Sequence, residues 1–156
     1  MVRSADVHLV GWSLAGIFCL LAVAAAVDGR APLPVRTVTA IGSPVDVSAV
    51  PLVAPLLRNN DLADGRLVLS GRAIPLAGVN VPVLVVAGRD DVIAPQRAVR
   101  AVVDLVTGAP QVRFETAPGG YLGVVTGRRA RHTTWTRLDD HSDGAAAGSR
   151  TEPGTT

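Results

Sequence analysis

Apolar residues along this chain form short blocks that are separated by turns rich in glycine and proline. Residues 6–10 predict a strand, and residues 14–27 predict a helix that is apolar on nearly every side, hence buried in a core or a membrane. Residues 35–41 are β-branched and lie between proline and Gly-Ser-Pro, so they predict a second strand. Prolines interrupt residues 45–57, which favours a broken or irregular segment, and residues 66–73 suggest a small hairpin.

The second half of the chain carries a stronger pattern. Residues 81–87 form a continuous apolar run, as in strands that are buried on both faces of a parallel sheet. Residues 95–106 predict an amphipathic helix and residues 112–116 an alternating strand. A last helix is expected over residues 128–140. From residue 141 the chain is rich in Gly, Ala, Ser, Thr and Pro, and we expect disorder.

Alternation of strands and helices predicts an α/β fold with a mostly parallel sheet of about four strands, flanked by helices. The 156 residues suit one domain over residues 1–140, followed by a disordered tail over residues 141–156. Chemistry in such folds gathers at the carboxyl ends of the strands. Three sequence motifs fall at those ends.

Composition excludes several function classes. All 15 basic residues are Arg, they are scattered, the net charge is only +2, and aromatic residues make up 3% of the chain. A nucleic-acid surface built on base stacking is therefore not expected. The single Cys19 cannot form an internal disulfide, and we interpret it as a buried structural residue. No cluster of His and Cys has metal-ligand spacing, and neither a metal nor a cofactor is expected.

The first motif is the hexapeptide from Gly11 to Gly16, Gly-Trp-Ser-Leu-Ala-Gly. A strand, a tight turn of small residues that carries a serine, and a buried helix form the layout of a nucleophile elbow. Ala15 stands where the simplest G-x-S-x-G pattern has its second glycine. Residues 9–27 also lack charge over about the length of a membrane span, and with Arg3 before them they resemble a secretory signal peptide. This segment alone leaves both interpretations open.

The other two motifs decide between them. Residues 88–95 (Gly-Arg-Asp-Asp-Val-Ile-Ala-Pro) and 118–124 (Pro-Gly-Gly-Tyr-Leu-Gly-Val) each follow a predicted strand. With the elbow, they make the chain resemble the α/β-hydrolase superfamily, and more narrowly its polyhydroxyalkanoate-synthase-like branch and actinobacterial relatives. The resemblance covers roughly residues 5–140 and follows the family's order of nucleophile, acid and base turn.

The resemblance implies roles for four residues. Ser13 matches the nucleophile, Asp91 the acid, and the backbone N–H of Leu14 one oxyanion donor. The position of the catalytic His is Tyr121. The implied activity is acyl transfer or ester hydrolysis on a small acyl ester or thioester, without a cofactor and in the cytoplasm.

Tyr121 is a departure with chemical consequences. A serine hydroxyl is a poor nucleophile unless a base takes its proton, and a tyrosine hydroxyl titrates near pH ~10. Losing a central triad member costs on the order of a millionfold in turnover. We interpret His8, His132 and His141 as structural or solvated residues. The sequence therefore predicts weak or absent activity.

The resemblance also implies missing architecture. The family's strands before the elbow are absent, and the cap segment is deleted between residues 57 and 64. The first strand would then present an apolar edge through which the chain could self-associate. Two alternatives follow: a non-catalytic fragment or pseudoenzyme that pairs with another chain, and a membrane-anchored or exported protein led by residues 9–27. The leading interpretation has no membrane or nucleic-acid partner.

Overall fold

The computed structural model describes residues 7–27, 33–49 and 60–147. The strands are β1 (Val7–Trp12), β2 (Val35–Ile41), β3 (Val68–Leu69), β4 (Arg72–Ala73), β5 (Val83–Gly88) and β6 (Val112–Ala117). The helices are α1 (Leu14–Val27), α2 (Gln96–Leu105), α3 (Gly123–Thr126) and α4 (Thr134–Ala147). Single 3-10 turns lie at Val47–Ala49, Leu76–Gly78 and Ala130–His132.

The main sheet has four parallel strands in the order β1–β2–β5–β6. The predicted fold class, a mostly parallel sheet of about four strands flanked by helices, is confirmed. β3 and β4 pair antiparallel as a separate small hairpin, as the sequence suggested for residues 66–73. Parallel pairing brings the carboxyl ends of the four strands to one edge, where the three motifs follow.

Strand β5 is buried on both of its faces. All six of its residues are buried. Val83 and Val85 belong to the main core with α1 and α2, whereas Leu84 and Val86 face a smaller core with Ile41 and α3. β-branched side chains favour this pleated, enclosed position. A continuous apolar run, rather than alternation, is the signature of such a strand.

α1 and α2 cover the same face of the sheet in different ways. α2 buries Ala98, Val99 and Val102 and turns its polar side outward, as its amphipathic pattern predicts. α1 buries Ile17, Leu20, Leu21, Val23 and Ala24. Within the described residues, no helix is both long and apolar enough to cross a membrane.

The carboxyl-terminal part of the chain differs from the expectation. The predicted helix over residues 128–140 begins only at Thr134, after α3 and a 3-10 turn, and it continues to Ala147. The predicted disordered tail therefore does not begin at residue 141, because residues 141–147 are helical. The reason is tertiary contact: the Arg36 guanidinium donates to the carbonyl oxygen of Ala145 at 3.1 Å, and His141 is buried.

Other expectations lie partly outside the described residues. Residue 6 at the start of the first strand, residues 50–57 of the broken segment and residues 148–156 of the tail belong to that group. Of the segment over residues 45–57, the described part ends in the 3-10 turn Val47–Ala49.

His141 is buried where α4 packs on the sheet. The charged groups that shift its pKa are Arg113 and His8, and neither carries a negative charge. The side chain of His141 is 3% exposed, and its Nε2 has no hydrogen-bond partner. Burial lowers its pKa below the ordinary value of 6.5, the backbone groups of Pro82 and Val38 partly offset this shift, and the positive charges of Arg113 and His8 lower the pKa further. The neutral imidazole is therefore the form that the folded state favours.

This environment predicts a pH dependence of stability. Because the pKa of His141 is lower in the folded state, the unfolded chain takes up the proton first. The contribution of His141 is complete above pH 6.5 and is lost as the pH falls below that value toward the folded pKa. Urea unfolding followed by circular dichroism at several pH values should show this loss. His141→Gln should remove that part of the pH dependence, and an unchanged slope in this variant would contradict the assignment.

Candidate active site

Ser13 occupies a sharp turn between β1 and α1. Its φ of 58° lies in the left-handed region, which costs a non-glycine residue about 1–3 kcal/mol. The Ser13 N–H donates to the carbonyl oxygen of Ile41 at 2.9 Å, and the Gly16 N–H donates to the Ser13 carbonyl at 3.1 Å. The turn is thus tied to the end of β2 and closes directly into the helix. This is the strand–turn–helix geometry of a nucleophile elbow.

Two glycines make this turn sterically feasible. A Cβ on Gly11 would collide with the backbone nitrogen and Cα of Gly16, and a Cβ on Gly16 would collide with the hydroxyl of Ser43. Ala15, at the usual position of the second glycine, is exposed and tolerates its methyl group. The position that requires glycine is therefore Gly16, one residue later than in the simplest G-x-S-x-G pattern.

Asp91 lies in the turn after β5 and is 6% exposed. Its Oδ1 accepts the backbone N–H groups of Ile93 at 2.9 Å and Ala94 at 2.8 Å. Its Oδ2 is buried and has no hydrogen-bond partner. One carboxylate oxygen is therefore satisfied by the backbone of its own loop, whereas the other has no partner among the described residues. An unsatisfied buried acceptor costs about 1–3 kcal/mol.

Tyr121 lies in the turn after β6 and reaches the serine. Its hydroxyl donates to Ser13 Oγ at 2.7 Å. Its ring is tilted by 43° against that of Trp12, with ring centroids 4.6 Å apart, a pairing worth about 0.5–1.5 kcal/mol beyond area burial. The Asp90 N–H donates to the Gly119 carbonyl at 3.2 Å and holds the two turns together.

The structure thus brings Ser13 and Tyr121 into contact, whereas Asp91 Oδ2 faces Gly42 and has no hydrogen-bond partner among the described residues. A carbon at the Cβ position of Gly42 would lie 3.7 Å from Asp91 Oδ2 and 3.7 Å from Trp12 Nε1. The indole N–H is also buried without a partner. A carboxylate acceptor and an N–H donor therefore face the space beside Gly42, and neither is used.

Leu14 is the first residue of α1. Backbone N–H groups in the first turn of a helix have no intrahelical acceptor, so this amide is free to act as an oxyanion donor. The three histidines lie elsewhere. His8 Nδ1 is 2.7 Å from the Thr37 hydroxyl, His132 is exposed in a 3-10 turn, and His141 is a buried residue of α4.

Trp12 and Gly42 belong to the site although sequence reasoning did not select them. Trp12 immediately precedes the serine, and Gly42 follows β2 with a φ of 53°. The signal for Gly42 was present: residues that follow parallel strands meet at the carboxyl edge of the sheet. Nothing in the sequence indicated the contact between Trp12 and Tyr121.

Cys19 is half-buried against the main core, and burial raises the pKa of its thiol, which disfavours the reactive thiolate. Across the described ranges, no group of three or more His, Cys, Asp or Glu side chains could hold a metal ion.

Comparison with solved structures identifies the fold. The mouse α/β hydrolase domain-containing protein 10 superposes with a TM-score of 0.59 at 21% identity, over 92% of this chain and 64% of that chain. The enol-lactonase of Burkholderia xenovorans LB400 gives 0.53 at 16% identity, over 86% and 65%. The monoacylglycerol lipase of Paleococcus ferrophilus gives 0.55 at 12% identity, over 87% and 68%.

No protein-family model and no curated protein sequence matches the chain. The structural likeness establishes the α/β-hydrolase fold. The chain spans less than two thirds of the mouse protein's length.

The elbow geometry predicts that Gly11→Ala lowers the free energy of unfolding by about 3 kcal/mol or more, because its methyl group meets backbone that cannot yield. Gly144→Ala is the matched control. Gly144 lies in α4 with nothing within 4 Å of an added Cβ, and the change should stabilise by about 0.5–1 kcal/mol. Chemical denaturation measures both; a neutral Gly11→Ala would contradict the described turn.

Proposed function

We propose that the chain is built for acyl chemistry at Ser13, the hydrolysis or transfer of an acyl group from an ester or thioester, and that Tyr121 reduces this activity strongly. The observation that carries the proposal is the 2.7 Å hydrogen bond from Tyr121 to Ser13 Oγ, together with an Asp91 Oδ2 that is buried without a partner among the described residues. In an active hydrolase of this kind a basic side chain would bond to both the serine and the aspartate, and here the phenol of Tyr121 occupies that position.

The proposed reaction requires a base that accepts the serine proton. Ser13 Oγ would attack the acyl carbonyl carbon, the bond to the leaving alcohol or thiol would break, and the serine proton would have to pass to a base and then to the leaving group. Tyr121 donates a hydrogen bond to Oγ and is a poor acceptor for that proton. Asp91 orients and stabilises a protonated imidazole in such a site, and here no imidazole accompanies it.

Electrostatic stabilisation would survive in part. The Leu14 N–H at the start of α1 is suited to bind the developing oxyanion. Removing one oxyanion donor typically costs about a hundredfold to a thousandfold in turnover. A single donor without a base supports a residual rate at most.

The structural neighbours agree with this class of chemistry. An enol-lactonase and a monoacylglycerol lipase carry the same fold. The narrower assignment to the polyhydroxyalkanoate-synthase-like branch rests on the motifs around Ser13, Asp91 and Tyr121, and we retain it as part of the proposal.

Restoring the base tests the proposal. Tyr121→His should place an imidazole between Ser13 Oγ and the unused Asp91 Oδ2. A general base contributes about a hundredfold to ten-thousandfold, so kcat/KM for p-nitrophenyl butyrate should rise by at least about a hundredfold over the original protein.

Three variants control this experiment. Tyr121→Phe removes the hydroxyl without supplying a base and should stay at the background rate. Ser13→Ala or Asp91→Asn, each combined with Tyr121→His, should abolish most of the gain. The proposal is wrong if Tyr121→His folds and gains nothing, or if the original protein already turns over rapidly through Ser13.

A second candidate function is pairing with another chain. β1 lies at one end of the sheet order, and within the described residues it pairs only with β2. Val7 is 40% and Val10 43% exposed on this strand. An apolar edge strand of this kind is a template for strand addition.

Size-exclusion chromatography with light scattering tests this candidate. The original protein should elute as a dimer or larger assembly, and Val10→Lys should shift it toward monomer because charge on an edge strand opposes pairing. Val68→Lys in the separate hairpin is the control, since Val68 is also exposed. A clean monomer of the original protein counts against this candidate.

A further inference from the structure

A long apolar groove runs along α1, outside the cluster formed by Ser13, Asp91 and Tyr121. It encloses about 760 Å³, within the range of roughly 300–1,000 Å³ for small-molecule sites. One wall is α1; the facing wall is formed by residues from the loops after β2 and before β5. The facing apolar residues are Val45, Val47, Leu62, Leu67, Leu69 and Ile74.

The first turn of α1, which follows Ser13, lines the groove. Leu14, the residue directly after Ser13, lines it and is 50% exposed. Phe18 follows one turn later and is 62% exposed, and Ala22 and Ala25 continue the same stripe of the helix. From Leu14 to Ala25 the helix rises about 16 Å, which is about the length of an extended dodecanoyl chain.

The groove offers a ligand almost no polar partner. Asn60 is engaged at both ends of its amide: Oδ1 accepts the Val47 N–H at 2.9 Å, and Nδ2 donates to Asp46 Oδ1 at 2.9 Å. Asp61 lies 3.7 Å from the Arg66 guanidinium. The stretch lined by Leu14, Phe18 and Ala22 is therefore suited to an apolar ligand, while Asp61 keeps a partly exposed charge in the lining.

From these observations we propose that the groove binds the aliphatic chain of a medium- to long-chain acyl ester or thioester, with its carbonyl group at Ser13. The inference rests on the proposed acyl chemistry and names its substrate class. Its support is that Leu14, the residue after Ser13, lines the groove, that the lined stretch of α1 is long, and that the described lining is mostly apolar.

Binding can be tested without catalysis. Displacement of fluorescent cis-parinaric acid from the purified protein by butanoate, octanoate and dodecanoate measures chain-length preference. Each added methylene should tighten binding about threefold to fourfold until the groove is filled. Dodecanoate should therefore displace the probe at concentrations far below those needed for butanoate.

Two variants on the same helix test whether the aliphatic chain of the ligand lies in the groove. Ala22→Trp places an indole in the middle of the groove and should weaken dodecanoate binding at least about tenfold, with little effect on butanoate. Ala26→Trp is the matched control, because Ala26 lines a separate cleft of about 300 Å³ with Val35 and Val81. Phe18→Asp, at an exposed position, replaces Ala22→Trp if that variant does not fold.

Several results would overturn the inference. These are equal affinity for butanoate and dodecanoate, no displacement at all, or equal effects of Ala22→Trp and Ala26→Trp. A dimer that dodecanoate dissociates would identify a second copy of the chain as the occupant and would overturn it as well. A failed gain in Tyr121→His refutes the proposed chemistry and leaves the binding measurement unaffected, so the two failures are distinguishable.

Discussion

The close approach of the backbone at Gly11 and Gly16 is the constraint on which the site depends. It turns the chain from β1 into α1 within a few residues, holds Ser13 at positive φ, and lets the Ser13 N–H reach the carbonyl oxygen of Ile41. That bond ties the turn to the end of β2. The parallel register then places the turns after β5 and β6 at the same edge, where Tyr121 contacts Ser13 and Asp91 faces Gly42.

Sequence pattern predicts the elements of this fold well where burial dictates composition. β2 occupies the expected residues 35–41, which are rich in β-branched residues. β5 lies within one or two residues of its expected bounds, because a strand buried on both faces must be uniformly apolar. α4 was misjudged because its last turns carry weak helix formers such as Gly144. Its extension to Ala147 depends on the burial of His141 and the bond from Arg36, and no local pattern encodes those contacts.

The site was only partly predictable for a similar reason. Tyr121 and Ser13 are 108 positions apart, and only the resemblance to a known family placed them together. The unsatisfied Asp91 Oδ2 and Trp12 Nε1 are properties of packing around Gly42, which composition and spacing do not reveal. The sequence predicted which side chains would carry the chemistry, and the structure adds which of their atoms have no partner among the described residues.

Asp91 and Tyr121 of the candidate site also have structural roles. Asp91 fastens the loop before α2 through the N–H groups of Ile93 and Ala94. Tyr121 packs on Trp12, and its hydroxyl shields Ser13 Oγ. Such contacts stabilise the fold whether or not the serine reacts. The geometry of the candidate site therefore does not depend on whether Ser13 is reactive.

α1 remains unusual in this setting. α2, which packs on the same sheet face, is buried on one side and carries Arg97, Arg100 and Asp104 on the rest of its surface. α1 has no charged residue at all, yet Leu14, Phe18 and Ala22 are exposed. A helix that is hydrophobic all round belongs in an apolar environment on every side. The sheet provides that environment for one side, and an acyl chain in the groove would provide it for the other.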